Sequence, residues 1–484
     1  MPYLPLLLCL SLASLRAQPA PPPNVLMISV DDLNDYVGHL GGYAGEIHTP
    51  NIDRLAARGV AFTNAHVQAP LCGPSRASVM TGLRPSTTGV YGMIDDDSLR
   101  GASPALDDIR FLPEYFADHG YRTMGIGKIF HEHTPAGALQ ESGGRVRGFG
   151  PVPEERFSWS GRSDREGFGR TSTDWGAYPD QDSLMPDHAS ASWAIDRLAE
   201  EHTDPFFLAI GFLRPHVPFY VPAPWFDSYP RDSIALPPYF SADLDDLPPT
   251  ARRINDLPMM PSTEWAIRSG EWTAILQAYL ASISFVDAQI GRLLDALDAS
   301  PYADNTIVVL WSDHGYRMGE KGTFAKHCLW EPATRVPFLI SGPGIAPAVV
   351  DQAVELLSLY PTLLELTGLP PYTRNEGQSL AGLVRGTVLA DSSAAAITTF
   401  GYGNHAVRTD RYRYIRYEDG GEELYDHAVD PEEWFNLADD ERYAKVIDRL
   451  KQRLPTGDAP WAAASQYTFQ PYFVAQKARR LGEN

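Results

Sequence analysis

Continuous apolar runs recur along the chain, each closed by polar or acidic positions. Residues 24–30 (NVLMISV) form the first of them and end in Asp31-Asp32. A run without alternation predicts a strand buried on both faces, as in a parallel sheet. Residues 208–212 (LAIGF) and 305–311 (NTIVVLW) repeat the pattern, the latter ending in Ser312-Asp313-His314-Gly315. Between these runs the apolar period becomes helical. Residues 49–58 predict a helix with Thr49 as cap, Pro50 in the first turn, Ile52, Leu55 and Ala56 on one face, and Gly59 as the stop. Further helices are predicted over 189–201 and 272–299. Strands alternating with helices indicate an α/β fold with a largely parallel sheet flanked by helices.

Two long irregular stretches, 132–188 and 217–265, read as lids or substrate-facing insertions. After about residue 386 the pattern changes. Residues 405–417 (HAVRTDRYRYIRY) and 424–426, separated by an Asp-Gly-Gly turn, predict antiparallel hairpins followed by a helix over 444–453. The chain therefore divides into a main α/β unit, 18–385, and a smaller α+β unit, 386–484, that contains an antiparallel sheet.

Composition narrows the function classes. The 484 residues include 40 Lys+Arg against 61 Asp+Glu, a net charge of -21, which argues against nucleic acid as a partner. Hydrophobic residues make up 44%, enough to fill a core and exclude disorder. Three cysteines, Cys9, Cys72 and Cys328, are too few for a disulfide scaffold. Residues 4–15 (LPLLLCLSLASL) are apolar but too short to span a bilayer. With the small residues that follow, they predict a signal peptide over 1–17 and a secreted or periplasmic protein.

The chemistry-bearing residues sit where the predicted strands end. Asp31-Asp32 and Asp313-His314 fall at the carboxyl ends of parallel strands, where ligands gather in α/β sheets. Carboxylates brought together there repel unless a cation joins them, and oxygen ligands suit Ca²⁺ or Mg²⁺. An Asp after a strand also commonly caps the next helix; two such pairs beside a third motif favour the cation site. That motif is Cys72-Gly73-Pro74-Ser75-Arg76. Pro74 in a first helical turn places Cys72 at a helix N-terminus, which favours anions and a reactive side chain, with Arg76 one turn along.

Cys72-Gly73-Pro74-Ser75-Arg76 resembles the Cys-x-Pro-Ser-Arg signature of the type I, formylglycine-dependent sulfatases. The resemblance extends through Asn24-Val25-Leu26 to Asp31-Asp32, Thr49-Pro50-Asn51, Gly127-Lys128, Ser312-Asp313-His314-Gly315 and Leu424-Tyr425-Asp426. Lys128-Ile129-Phe130-His131, Arg214-Pro215-His216-Val217-Pro218-Phe219 and His314, where other sulfatases usually have Asn, resemble the iduronate-2-sulfatase branch. Thr81-Gly82-Leu83-Arg84 departs from the broader Thr-Gly-Arg pattern.

The resemblance implies an alkaline-phosphatase-like fold. It also implies one Ca²⁺ held by Asp31, Asp32, Asp313, His314 and residue 72, with Cys72 converted to formylglycine by a maturation enzyme. The hydrated aldehyde, a gem-diol, attacks sulfur, and its second hydroxyl later expels sulfate. Arg76, Lys128 and Lys326 then face the charged centre, His131 contacts the gem-diol, and His216 protonates the leaving oxygen. The implied substrate is a sulfated saccharide, with 2-O-sulfate on a uronic acid of a glycosaminoglycan or algal-type polysaccharide. Tyr316, Arg317 and Glu320 are candidates to line the sugar site, Arg317 against a uronate carboxylate. Alternatives are a phosphoester or phosphonate hydrolase on the same fold, and a carbohydrate-binding protein without catalysis if Cys72 stays unmodified. A dinucleotide-dependent oxidoreductase lacks its Gly-x-Gly-x-x-Gly turn, since Asp31-Asp32 follows the first strand instead.

Overall fold

The computed structural model describes residues 21–145, 148–157, 159 and 172–482, so the predicted leader and Cys9 lie outside the described residues. Its centre is an eight-stranded sheet. In chain order the strands are β1 (Asn24–Asp31), β2 (Val60–Phe62), β3 (Arg122–Gly127), β4 (Glu141–Ser142), β5 (Phe206–Pro215), β6 (Thr306–Ser312), β7 (Phe338–Ser341) and β8 (Ala348–Val350). Their spatial order is β8-β2-β7-β6-β1-β5-β3-β4. The central strand β1 pairs in parallel with β5 and β6, and only β7 runs against the rest.

Every residue of β1 is buried, as its unbroken apolar pattern requires. Leu26, Ile28 and Val30 face a core shared with the helices Pro186–Leu198 and Trp272–Asp298. Val25 and Met27 face the opposite core, which includes Val79 and Met80 of the helix Cys72–Thr81 and Leu363 of the helix Leu359–Leu366. Two-sided cover of this kind is what a mostly parallel sheet needs.

The helix Pro50–Arg58 forms where predicted, but for different reasons at its ends. Thr49 makes no side-chain cap to the helix; Asp287 on the long helix accepts the N–H groups of Asn51 and Ile52 at 3.1 and 2.8 Å. Gly59 is extended, not left-handed. A Cβ there would stand 2.4 Å from the Ile340 carbonyl, so it is needed for close strand approach. The stretches 132–188 and 217–265, read as irregular, carry short pieces of regular structure, among them the paired strands Trp175–Ala177 and Phe219–Val221.

A second, antiparallel sheet joins Ala396–Thr399, His405–Arg408, Tyr412–Arg416 and Glu422–Asp426 in chain order. One face packs through Ala406, Ile415 and Tyr425 on Leu329, Trp330 and Leu71, the residue before Cys72. The other face holds Ile447 and Leu450 of the helix Ala444–Lys451. A final helix, Pro471–Leu481, was not apparent from the pattern. Among the described residues no helix is long and apolar enough to cross a membrane.

Candidate active site

Strand ends and one helix start converge at the carboxyl edge of the central sheet. At the end of β1 the pairing register shifts between Val30 and Asp31, and Asp32 takes a positive φ of 64°. The Tyr279 hydroxyl, reaching across from the long helix, donates to the Asp32 carbonyl at 2.7 Å and accepts from the Asn34 N–H at 3.1 Å. The Asp32 N–H in turn donates to Asp313 Oδ1 at 3.2 Å, tying the ends of β1 and β6 together. Both acidic pairs are fully buried.

Cys72 opens its helix, as the position of Pro74 predicts, and is buried. Its Sγ lies 3.2 Å from His314 Nε2 and 3.0 Å from Lys326 Nζ. Lys326 Nζ also donates to Asp32 Oδ1 at 2.7 Å, and Lys128 Nζ donates to Asp31 Oδ2. Arg76 Nε donates to Asp313 Oδ2 at 2.8 Å, and its Nη2 lies 3.8 Å from Asp31 Oδ1. Arg76 thus points at the carboxylates. The Gly127-Lys128 motif explains how Lys128 arrives. Gly127 has a φ of +82°, and a Cβ on the facing Gly211 would stand 2.0 Å from the Lys128 carbonyl carbon.

The histidines are oriented by main-chain carbonyls. His314 Nδ1 donates to Gly315 O at 3.0 Å, which leaves the Nε2 lone pair facing Cys72 and Asp32. His216 Nδ1 donates to Val217 O at 2.6 Å, and its Nε2 lies 4.0 Å from Asp32 Oδ2. His131 presents a buried Nδ1 without a partner among the described residues.

Burial and charge act in opposition here. Burial alone would raise Asp31, but Lys128, His216, Arg76 and Lys326 hold it well below the usual carboxylate range. Asp32, for which burial wins over Lys326 and Asp31 adds repulsion, is pushed up to about 7. Burial also pushes the Cys72 thiol up despite Lys128 and Lys326. His131 and His216 are both pushed well down by burial, then by the neighbouring lysines.

Asp31, Asp32, Cys72, Arg76, Lys128, His216, Asp313, His314 and Lys326 therefore meet in one place, with His131 in the electrostatic range of Lys128 and Asp31, but the predicted sugar-contacting group does not join them. Arg317 is fully buried and spends its donors on Ala325 O, Asn255 Oδ1 and Lys326 O. Tyr316 donates to Phe324 O at 2.9 Å, and Glu320 accepts from the Tyr36 hydroxyl and the Met318 N–H. These residues shape the loop that carries Lys326. Arg84 makes a two-point pair with Glu355, away from the centre. Sequence reasoning missed Ser75, whose Oγ donates to Asp313 O at 2.6 Å, and Ser29, which accepts from Arg76 Nη1 at 3.2 Å. Ser75 lay within the motif and could have been assigned; Ser29 and Tyr279 carried no signal.

The family described as Sulfatase matches residues 23–369, which hold every residue of this centre. The chain belongs to the sulfatase family. A second family, described as N-sulphoglucosamine sulphohydrolase, C-terminal, matches residues 319–459 of this sulfatase. A sulfatase of Formosa agariphila is 58% identical over 94% of this chain and 91% of its own. Human iduronate 2-sulfatase is 32% identical, covering 72% of this chain and 70% of its own. The solved structure of a 2-O GAG sulfatase superposes with a TM-score of 0.67 at 25% identity, over 92% of this chain and 98% of that one. Membership makes the chain a sulfuric ester hydrolase, and the alkaline-phosphatase-like fold agrees with it.

Proposed function

We propose that this sulfatase removes 2-O-sulfate from uronic acid residues of a sulfated polysaccharide, as an exported enzyme whose catalytic unit spans 18–385 and whose smaller unit spans 386–484. The observation that carries the reading is the convergence of Asp31, Asp32, Asp313, His314, Lys128 and Lys326 on the single thiol of Cys72. The names of the human relative and of the structural neighbour support the 2-O-sulfate and the uronate.

The donor set fits Ca²⁺. Ligand atoms of Asp31, Cys72, Asp313 and His314 lie within 4.8 Å of one another, as do those of Asp31, Asp32, Cys72 and His216. Among the described residues Asp31 Oδ1 and Asp32 Oδ2 are buried without hydrogen-bond partners, a costly state that a cation would relieve. Asp31, Asp32, Asp313, His314 and residue 72 would hold the ion, which polarises bound sulfate and acidifies a hydroxyl at residue 72. Formylglycine at position 72, once hydrated, supplies the nucleophilic hydroxyl together with a second one for release of sulfate.

The chain's own groups supply the rest. Lys128 and Lys326 are read as contacts to the sulfate oxygens, on which negative charge grows as the ester bond breaks. Arg76 stays on Asp313 and Asp31 and, after Lys128 and His216, helps hold Asp31 below the usual carboxylate range. His131 is read as the contact to the gem-diol at residue 72 and as its base, and His216 as the acid that protonates the departing sugar oxygen.

Mature protein from its host should carry a tryptic Cys72 peptide that is lighter than the thiol form and reacts with hydrazides. The same protein, with Ca²⁺, should release sulfate from a 2-O-sulfated uronate. A preparation showing only free thiol would remove the formylglycine mechanism, and sulfate release only from other positions would remove the 2-O reading.

A further inference from the structure

Beside the Cys72 centre lies a cavity of about 240 Å³ lined in part by Met93, Asp95, Glu132, Gln466, Tyr467 and Phe469. Three contacts fix it to the centre. Met93 Sδ lies 3.1 Å from where a Cβ on Gly73 would stand, and Gly73 follows Cys72. Glu132 follows His131, and both donate their N–H groups to Asp96, at 2.6 and 3.2 Å. Tyr467 sets its ring 5.5 Å from that of His327, the residue after Lys326. The C-terminal segment is held there by the Gln466 N–H on Met93 O at 2.6 Å and the Gly92 N–H on Ser465 Oγ at 2.9 Å. The cavity therefore borders the chain neighbours of Cys72, His131 and Lys326.

Its chemistry differs from that of the centre. No Lys, Arg or His is among its described lining residues, whereas Asp95 and Glu132 bring two carboxylates. Met93, Tyr467 and the half-exposed Phe469 provide an apolar and aromatic face, and Gln466 an amide. Tyr467 is 4% exposed. An aromatic face with acceptors around it suits the C–H face and hydroxyls of a sugar ring. A sulfate or carboxylate placed here would meet two like charges, and His133, which clusters with Asp95, is already paired with Asp97 at 3.1 Å.

We propose that this cavity is the subsite for the sugar next to the sulfated one, and that it selects an uncharged, hydroxyl-rich pyranose there. The assignment rests on the sulfatase reading above and goes beyond it: the polymer alternates a sulfated unit with a neutral one, and densely sulfated chains are rejected at this position.

Two disaccharides test it, each carrying the same 2-O-sulfated uronate, one joined to a neutral hexose and the other to the 6-sulfate of that hexose. With the mature, Ca²⁺-loaded full chain, kcat/KM should favour the neutral neighbour by about tenfold or more, the scale of an uncompensated like-charge contact. In the double variant Asp95→Asn, Glu132→Gln the ratio should fall to within about threefold. Should that variant not fold, high salt on the wild type should compress the same ratio by screening. Equal rates in the wild type, preference for the doubly sulfated compound, or a ratio that neither the variant nor salt alters would overturn the assignment. If neither compound is turned over, the sulfatase reading fails by itself. Calorimetric titration of the two desulfated disaccharides then decides the subsite: tighter binding of the neutral one upholds it and equal affinity sinks it.

Discussion

Cys72, His216 and Lys326 lie within one buried cluster, yet their side chains can be separated by experiment. Lys326 touches both the Cys72 sulfur and Asp32, and in the proposed mechanism its charge serves whatever sulfate is bound. His216 faces Asp32 only through Nε2, with Nδ1 committed to the Val217 carbonyl. Protonation of a leaving oxygen matters most when that oxygen leaves poorly. His216→Ala should therefore lower kcat on a sugar sulfate by roughly 10²–10⁴-fold and on an activated aryl sulfate by clearly less. Lys326→Ala should depress both substrates alike. Equal losses on both substrates for His216→Ala would move that residue from proton donor to sulfate contact. At this scale the sequence was legible where a motif binds type, order and spacing together, as in Cys72 to Arg76. It misled at Arg317, because the fate of a guanidinium depends on Asn255 and on the carbonyls of Ala325 and Lys326, which no local pattern announces.

Among the elements, the runs around residues 24–30 and 305–311 were readable because burial on both faces leaves no polar position to interrupt them. Strand β3, RTMGIG, was not read as a strand: two glycines break its apolar run, and their reason lies across the sheet. Gly211 in β5 packs directly on the Lys128 backbone, and Gly127 with its positive φ turns the chain toward that contact. Gly211→Ala would force a Cβ to within 2.0 Å of the Lys128 carbonyl carbon, backbone that cannot rotate aside. The strand must shift, which should cost about 1–3 kcal/mol of stability. It should also displace Lys128 from Asp31 and lower kcat more than it raises KM. Denaturant titration and steady-state kinetics on the same protein check both; unchanged kcat with lowered stability would show that Lys128 does not need this backbone position.

For the whole molecule, the change of pattern near residue 386 announced a second sheet, but nothing local told how it docks. The docking relies on charges drawn from distant parts of the chain. Arg413, fully buried, pairs with Glu433 at 2.5 Å and with Glu331, while Arg408 Nε holds Glu331 Oε2 at 2.9 Å and His427 meets Glu433 at 2.9 Å. Burial alone would raise both glutamates. Arg408 and Arg413 hold Glu331 well below the ordinary range, and Arg413 with His427 lowers Glu433. Removing one partner of a buried pair leaves the other charge uncompensated, so Arg413→Met should cost about 3–5 kcal/mol at neutral pH. The pH dependence follows from the direction of the shifts. Groups whose folded values are depressed contribute stability that is present above their unfolded values and is lost as pH falls through the folded ones. The wild type should therefore lose more stability on acidification below the glutamate range than Arg413→Met does, and the two melting curves should converge. A gap between them that stays constant down to low pH would show that these glutamates do not hold the second sheet in place through their charge.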